Sequence, residues 1–378
     1  MAGIYLHIPF CRKACHYCDF HFSTNRQNES EVVHAMVREI ELRRNYLPGE
    51  AIETIYIGGG TPSLLKPSHL EFLLNTIDKN FIVSSSCEIT LEANPDDLSE
   101  DSLLTFRDLG INRLSIGIQT FNEDLLRYLN RSHSGSQAVD TFRLARSHGF
   151  NNINLDLIFG IPGQTLQMVD DDLQQVLSLN PEHISAYALT IEERTVFGNW
   201  FKKGKLQPVA EELGAALFQM VSDKLTAAGY RHYEISNYAR PGFLSRHNSN
   251  YWKQVPYLGI GPGAHSFDGI SRQANISNNH LYVKNVNQGV IPATVEKLSR
   301  ENRINEYIMT SLRTDTGLDT KFLQKNYDFH FSPAQQQLIR NWQSLGLLTV
   351  DDSRLILTRQ GKLLADRLAA DLFLDTRE

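Results

Sequence analysis

Through its first half the chain repeats one unit: a short apolar strand, a polar or glycine-containing loop, then an amphipathic helix. The strands read Ile4–Ile8, Thr54–Gly58, Glu88–Glu92, Arg113–Ile118, Asn152–Leu157 and His183–Ala188. Between them lie helical patterns at Ser30–Tyr46, Pro67–Asn80, Glu100–Leu109, Asn122–Leu129, Ser136–His148 and Thr165–Leu177. Every spacing has room for a crossover helix, so the strands are expected to be parallel with right-handed crossovers. Eight such units close a full barrel; six leave it open. The predicted fold is α/β, an incomplete (β/α)6 TIM-like barrel. A doubly wound sheet is the alternative that pattern alone leaves standing.

A further helix is expected at Ala210–Ala228. The segment Arg231–Arg272 is rich in Asn, Tyr, Gly and His and reads as loop and short strand. From Ser299 the texture changes. Helical patterns at Arg300–Leu312, Thr320–Lys325 and Pro333–Leu345 precede a hairpin, Leu348–Val350 with Leu355–Thr358, and a last helix at Gln360–Leu372. Helices around a hairpin predict a small, winged-helix-like C-terminal domain. The expected division is 1–235 for the barrel, 236–298 for a connecting segment and 299–378 for that domain. Residues 299–378 carry eleven basic and eleven acidic side chains, so nothing draws the domain electrostatically to nucleic acid. A packing or docking role is the better expectation.

The whole chain has a formal net charge of −6, which again points away from a phosphate-rich partner. No apolar run is long enough to span a bilayer, and the start, Met1-Ala2-Gly3-Ile4-Tyr5, lacks the basic and apolar regions of a secretory signal. A cytoplasmic location is therefore expected. Of four cysteines, three fall within eight residues: Cys11, Cys15 and Cys18. Clustered thiols in a reducing compartment read as metal ligands rather than disulfides. Cys87 stands alone and reads as a small buried apolar residue.

Cys11-Arg12-Lys13-Ala14-Cys15-His16-Tyr17-Cys18 has the spacing C-x3-C-x2-C. Three thiolates on one loop can hold three corners of an iron–sulfur cube, leaving the fourth iron open to a substrate or cofactor. The rival is a Cys3His zinc site with His16 or His21 as the fourth ligand, although no second Cys pair is present. The loop follows the first strand, on the rim where barrels carry function. The same rim is expected to present Gly58-Gly59-Gly60-Thr61-Pro62, whose bare backbone could hold an amino acid's charged ends. It should also present Glu92, Gln119, Asp156 and Tyr187-Ala188 from the following strands.

These features resemble the radical SAM superfamily. More narrowly, Tyr5-Leu6-His7-Ile8-Pro9-Phe10-Cys11, Leu91-Glu92-Ala93-Asn94-Pro95, Gly117-Ile118-Gln119-Thr120-Phe121 and Asp156-Leu157-Ile158-Phe159-Gly160-Ile161-Pro162 resemble its coproporphyrinogen-oxidase-like family. The resemblance covers nearly the whole chain. It implies a [4Fe–4S] cluster on Cys11, Cys15 and Cys18, with S-adenosyl-L-methionine chelating the open iron. Gly59, Gly60 and Thr61 would cradle the methionyl end, with Glu92 near it. Tyr5, Gln119, Arg131, Asp156 and Ala188 would line the cofactor site, and Tyr17 would pack by the adenine. The implied chemistry is one-electron reduction of the sulfonium to methionine and a 5′-deoxyadenosyl radical that abstracts hydrogen, the protein excluding water and orienting the bond.

The family holds two branches, and the resemblance leaves open whether this chain catalyses or carries. The oxidases, which decarboxylate coproporphyrinogen III to protoporphyrinogen IX, extend the motif to a fourth cysteine, where this chain has Phe20. They also carry an arm before the motif, whereas here the first cysteine is residue 11. The heme-chaperone branch is resembled instead by His247-Asn248-Ser249-Asn250-Tyr251-Trp252, an H-N-x-x-Y-W signature. Imidazole is a common heme ligand and aromatic rings pack on porphyrins. The alternative is that His247 caps a turn while Tyr251 and Trp252 are core. His265 is a second candidate, for the cofactor or for heme. The expectation is a heme chaperone with heme as cargo and a heme-acceptor protein as partner. The chaperone branch further implies homodimerisation and acceptors at the membrane, hence a cytoplasmic protein peripheral to it.

Overall fold

The structure, a computed structural model, describes residues 1–374. The six expected strands all form: β1 (Ala2–Ile8), β2 (Ile52–Gly59), β3 (Val83–Ala93), β4 (Arg113–Gln119), β5 (Ile153–Phe159) and β6 (His183–Ala188). They lie in sequence order, each parallel to the next. A doubly wound sheet reverses its order at a switch point; this one does not, so the barrel-type reading holds.

The barrel stays open. Strands β7 (Arg231–Glu234) and β8 (Asn237–Ala239) add antiparallel to the β6 edge. On the other edge β9 (Tyr257–Ile260) runs parallel to β1. Beyond it β10 (His265–Phe267), β11 (Ser271–Asn275) and β12 (Ala293–Lys297) continue antiparallel, giving a sheet of 12 strands. The segment Arg231–Arg272 is thus more regular than its composition implied. Its strands are three to five residues long, too short for an alternating pattern to declare itself.

Alternation along the six core strands decides what the barrel can contain. Ile4 and Leu6, Ile55 and Ile57, Leu114 and Ile116, Leu155 and Leu157, and Ile184 and Ala186 form one face and are buried. The intervening residues are polar: Tyr5, Tyr56, Glu92, Arg113, Ser115, Asn154, Asp156, His183 and Ser185. Successive side chains on a strand point to opposite faces. The apolar face joins the core that includes Val33, Met36, Leu73, Phe106, Phe142 and Leu173 from the crossover helices. The other face is lined by hydrogen-bonding groups, where a closed barrel would carry layers of Val, Ile and Leu.

The helices begin where their sequences offer an oxygen. Ser99, Asn122, Ser134 and Thr165 each accept a first-turn backbone N–H, each cap contributing about 0.5–2 kcal/mol. Beyond Ser299 a second core forms around Ile304, Ile308, Leu323, Trp342, Leu355 and Leu368. It includes a three-stranded sheet of β13 (Leu318–Asp319), β14 (Leu348–Asp351) and β15 (Arg354–Leu357). The expected last helix is split into Arg359–Lys362 and Ala365–Ala370. Gly361 lies against Leu347, whose carbonyl oxygen would be 1.9 Å from an added Cβ, so the first piece is fixed by that contact.

Ile116, in the middle of β4, is fully buried, whereas Ile82 is 70% exposed. Ile116→Ala is expected to cost about 2–5 kcal/mol and Ile82→Ala less than about 0.5 kcal/mol. Urea unfolding, followed by midpoint at unchanged slope, checks both.

Candidate metal centre and cofactor site

The cysteine loop leaves β1 and is held by neighbouring rim segments. Cys11 N–H donates to Ser23 O at 3.0 Å, and Ser23 N–H to Pro9 O at 2.9 Å. Arg12 pairs with Asp97 at 2.5 Å, in the turn after β3. His16 N–H donates to Leu129 O, Asn130 Nδ2 to Ala14 O and Phe197 N–H to His16 O. The loop is fixed by the fold before any metal is considered.

Two contacts reach the sulfurs themselves. Thr61 Oγ1 donates to Cys11 Sγ at 3.6 Å and Arg131 Nη1 to Cys15 Sγ at 3.4 Å. Asn94 joins the two donors, giving Nδ2 to Thr61 Oγ1 at 3.2 Å and accepting Arg131 Nη2 at 2.5 Å. Arg131 also donates to Gly117 O at 2.6 Å, while its buried Nε has no partner among the described residues. Burial pushes the Cys11 thiol up to about 12 and the Cys18 thiol up to about 11. Both therefore stay protonated unless a metal displaces the proton.

The histidines weighed as a fourth zinc ligand have other partners. His16 Nδ1 lies 2.8 Å from Tyr128 O with its ring edge-on to Trp200, and His21 Nε2 lies 2.8 Å from Asn279 Oδ1. The remaining donor set is three sulfurs on one loop with a positive guanidinium beside them. That set fits an iron–sulfur cube with one corner left to an exogenous ligand better than a four-coordinate zinc.

The backbone of the glycine run is already partly engaged. Its N–H groups are not free to receive a ligand. Gly59 N–H donates to Glu92 Oε2 at 3.1 Å, Gly60 N–H to Ile8 O at 2.8 Å and Thr61 N–H to Phe10 O at 2.7 Å. An added Cβ at Gly60 would lie 2.6 Å from Phe10 O, and one at Gly59, where φ is +107°, 2.7 Å from the His7 ring. The glycines let β2 lie directly against the base of the cysteine loop. The N–H groups of Gly59, Gly60 and Thr61 are thus engaged within the protein.

Glu92 is held by Tyr56 OH at 2.7 Å and Gly59 N–H. Desolvation pushes its carboxyl up to about 7, against those two hydrogen bonds. Asp156 accepts from Asn154 Nδ2 at 2.7 Å and Ser115 Oγ at 3.1 Å, and burial raises it too. Arg113, 1% exposed, stands in this interior with Nε unpartnered among the described residues. Gln119 ends β4 with φ +68°, after a bulge between Gly117 and Gln119. A non-glycine residue there costs on the order of 1–3 kcal/mol. The following turn is fastened by Asp172, which accepts Thr120 Oγ1 and Phe121 N–H, both at 2.7 Å.

Tyr5 OH lies 3.1 Å from His7 Nδ1, and Tyr17 packs against the apolar group of Leu125, Leu129 and Ile158. Ala188 is exposed at the end of β6. The expected residues thus fall into linked sets: Cys11–Thr61–Asn94–Arg131–Cys15 on the rim, Glu92–Gly59–Tyr56 beneath it, and Asp156 deeper. Asn94, His7, Tyr56 and Asp172 were missed as site residues. Asn94 had a signal, standing two residues after Glu92 at the strand end.

His247, the heme candidate, is enclosed in the fold. It is 2% exposed. Its Nδ1 lies 2.8 Å from Thr54 Oγ1 and its Nε2 2.8 Å from Tyr251 OH, so both ring nitrogens are engaged. The ring stacks on Tyr56 at 5.1 Å and lies near Gly3. The helix Arg246–Trp252 therefore plugs the N-terminal end of the strands, away from the cysteine loop. Its start is capped by Glu88, which accepts the N–H groups of Arg246 and His247. His265 is exposed on β10.

Comparison with known proteins places this geometry. Residues 5–176 match the radical SAM superfamily and residues 298–364 the HemN C-terminal domain. The chain is 36% identical over 371 residues to the heme chaperone HemW of Bacillus subtilis, covering 97% of this chain and 98% of that one. It is 40% identical over 267 residues to HemW of Escherichia coli, covering 70% and 69%. The solved coproporphyrinogen III oxidase HemN of Escherichia coli, a radical SAM enzyme, superposes with a TM-score of 0.85 at 25% identity, covering 98% of this chain and 90% of that one.

A carboxyl raised in the folded state stabilises less as it is forced to ionise: the folded protein holds its proton from about pH 4.5 to 7 while the unfolded chain has lost it. Glu92→Gln is therefore expected to flatten the fall in stability between pH 5 and 7. The difference between wild-type and variant urea midpoints, taken in metal-free protein at both pH values, reads the effect.

Proposed function

We propose, from the premise that this chain belongs to the radical SAM superfamily and within it to the HemW family, that it is a heme chaperone. Heme is its cargo and a heme protein its acceptor. The end-to-end similarity to HemW of Bacillus subtilis carries this reading, and Phe20 at the position of the oxidases' fourth cysteine agrees with it. The three thiols Cys11, Cys15 and Cys18 would hold a [4Fe–4S] cluster, and S-adenosyl-L-methionine would meet its open corner. When bound, that pair supplies one-electron reduction of a sulfonium.

The chain's own residues do the positioning. Arg131 and Thr61 would keep donating to Cys15 and Cys11, and hydrogen bonds to ligand sulfurs tune a cluster's potential. Glu92 would present a carboxylate whose ionisation lies close to neutrality, near a ligand's ammonium. Gln119, Asp156, Tyr5 and Ala188 would border the ligand from β4, β5, β1 and β6, and Tyr17 would shield it from water. Iron ligation by His247 would require the ring to leave Thr54 and Tyr251 first.

The likeness to HemN keeps one second reading in view: oxidative decarboxylation of coproporphyrinogen III. An anaerobic assay separates the two. The reconstituted protein is expected to bind heme saturably by Soret absorbance and to pass it to an apo-hemoprotein, without consuming coproporphyrinogen. Accumulation of protoporphyrinogen IX together with 5′-deoxyadenosine would reverse the assignment. Replacing Cys15 by Ala should abolish stoichiometric iron and acid-labile sulfide after reconstitution. Retention of bound zinc without sulfide would instead return the motif to a zinc site.

A further inference from the structure

At the β6 edge of the barrel a cavity of about 870 Å³ opens between the C-terminal ends of β5 and β6 and the C-terminal domain. Gly160 and Ala188 border it, so it adjoins the cofactor rim. Its volume lies in the range of small-molecule sites.

The lining joins two chemistries. Tyr187, Phe201, Leu363 and Leu364 are 41%, 49%, 40% and 40% exposed, and all four face the cavity. Large apolar side chains gathered in one concavity are what an apolar ligand would cover. Beside them, among the described residues, stand Arg313, Lys362 and Arg367 with one acid, Asp366. Arg313 is taken up by Asp366 and Glu234, which leaves Lys362 and Arg367 as two cations with no acid partner among the described residues, in a chain whose net charge is −6. Arg313 gives one nitrogen to Asp366 at 2.7 Å and another to Glu234 at 3.3 Å. Lys362 is 8% exposed, and its ammonium has one protein acceptor among the described residues, His232 O at 2.9 Å. An ammonium carries three donors, so two remain for a ligand.

A broad apolar surface with two cations lacking acid partners at its margin matches a large planar ring bearing two carboxylates. Among the described residues no His, Cys or Met lines the cavity, so such a ligand would be held by its ring and acids rather than through a metal. We propose that this cavity is the seat of the tetrapyrrole. The macrocycle rests on Tyr187, Phe201, Leu363 and Leu364, and the carboxylates meet Lys362 and Arg367. This inference rests on the heme-handling reading and gives it a location other than the plugged end where His247 sits.

The test is titration of the full-length protein with heme, with metal-free mesoporphyrin IX and with mesoporphyrin dimethyl ester. Wild type is compared with Arg367→Glu and Leu364→Asp, two exposed positions, with circular dichroism to confirm folding. The dicarboxylate porphyrin is expected to bind without iron, the ester at least tenfold more weakly. Each variant should weaken both heme and mesoporphyrin by about tenfold. If Leu364→Asp fails to fold, Arg367→Glu alone decides. Heme binding by wild type that neither folded variant changes, or ester binding as tight as the acid's, would overturn this site while leaving the heme-handling reading intact. No binding of any tetrapyrrole by wild type would remove that reading and the site with it.

Discussion

Glu92, Asp156 and Arg113 lie inside a barrel, where an unpaired ion costs several kcal/mol to desolvate. The barrel tolerates them because its inner face is polar throughout. Asn154 serves Asp156 and Ser115 and accepts from Ser185, and His183 Nδ1 lies 2.6 Å from its Oδ1. Tyr56 and Gly59 serve Glu92. A barrel filled in this way cannot draw its stability from an interior packed with aliphatic layers. It draws it from the other face, where the same strands press Ile and Leu against the helices. The polar interior and the hydrophobic core are thus two consequences of a single alternation.

The cysteine loop depends on the same strands through their ends. β2 supplies Gly60 and Thr61, whose N–H groups clamp Ile8 and Phe10 on either side of Pro9, and β3 leads to Asn94 and Asp97, which hold Arg131 and Arg12. The three sulfurs are carried on backbone tied to four separate segments. A cluster site placed this way keeps its loop ordered by ordinary hydrogen bonds, and the strain at Gln119 is confined to one turn that Asp172 fastens.

The H-N-x-x-Y-W segment is a family mark that is also a packed element of the fold. Imidazole and two aromatic rings are as suited to closing a barrel as to touching a porphyrin. His247 stacks on Tyr56, Tyr56 donates to Glu92, and the guanidinium of Arg313 lies 5.4 Å from the Trp252 ring. The helix therefore joins Glu92 on one side to the C-terminal domain on the other. Composition could not distinguish a ligand from a plug, because the difference lies in which nitrogens already have partners.

The amino-acid sequence alone determined the six parallel strands, their crossovers and the cysteine loop after β1. Those follow from local periodicity and spacing, which neighbours in the chain set. It also carried the marks of family, in Cys11–Cys18, Leu91–Pro95 and His247–Trp252. Only the tertiary structure decided that β7–β12 extend the sheet on both edges, since short strands are selected by the partner they pair with. Only it decided that the N–H groups of Gly59 and Gly60 are taken by Glu92 and Ile8, that His247 is enclosed, and that Asn94 links Thr61 to Arg131. Each of these turns on a hydrogen bond between residues far apart in the chain, such as Thr54 with His247 or Arg131 with Cys15. No local pattern records such a contact; it exists once the strands have brought the two residues together.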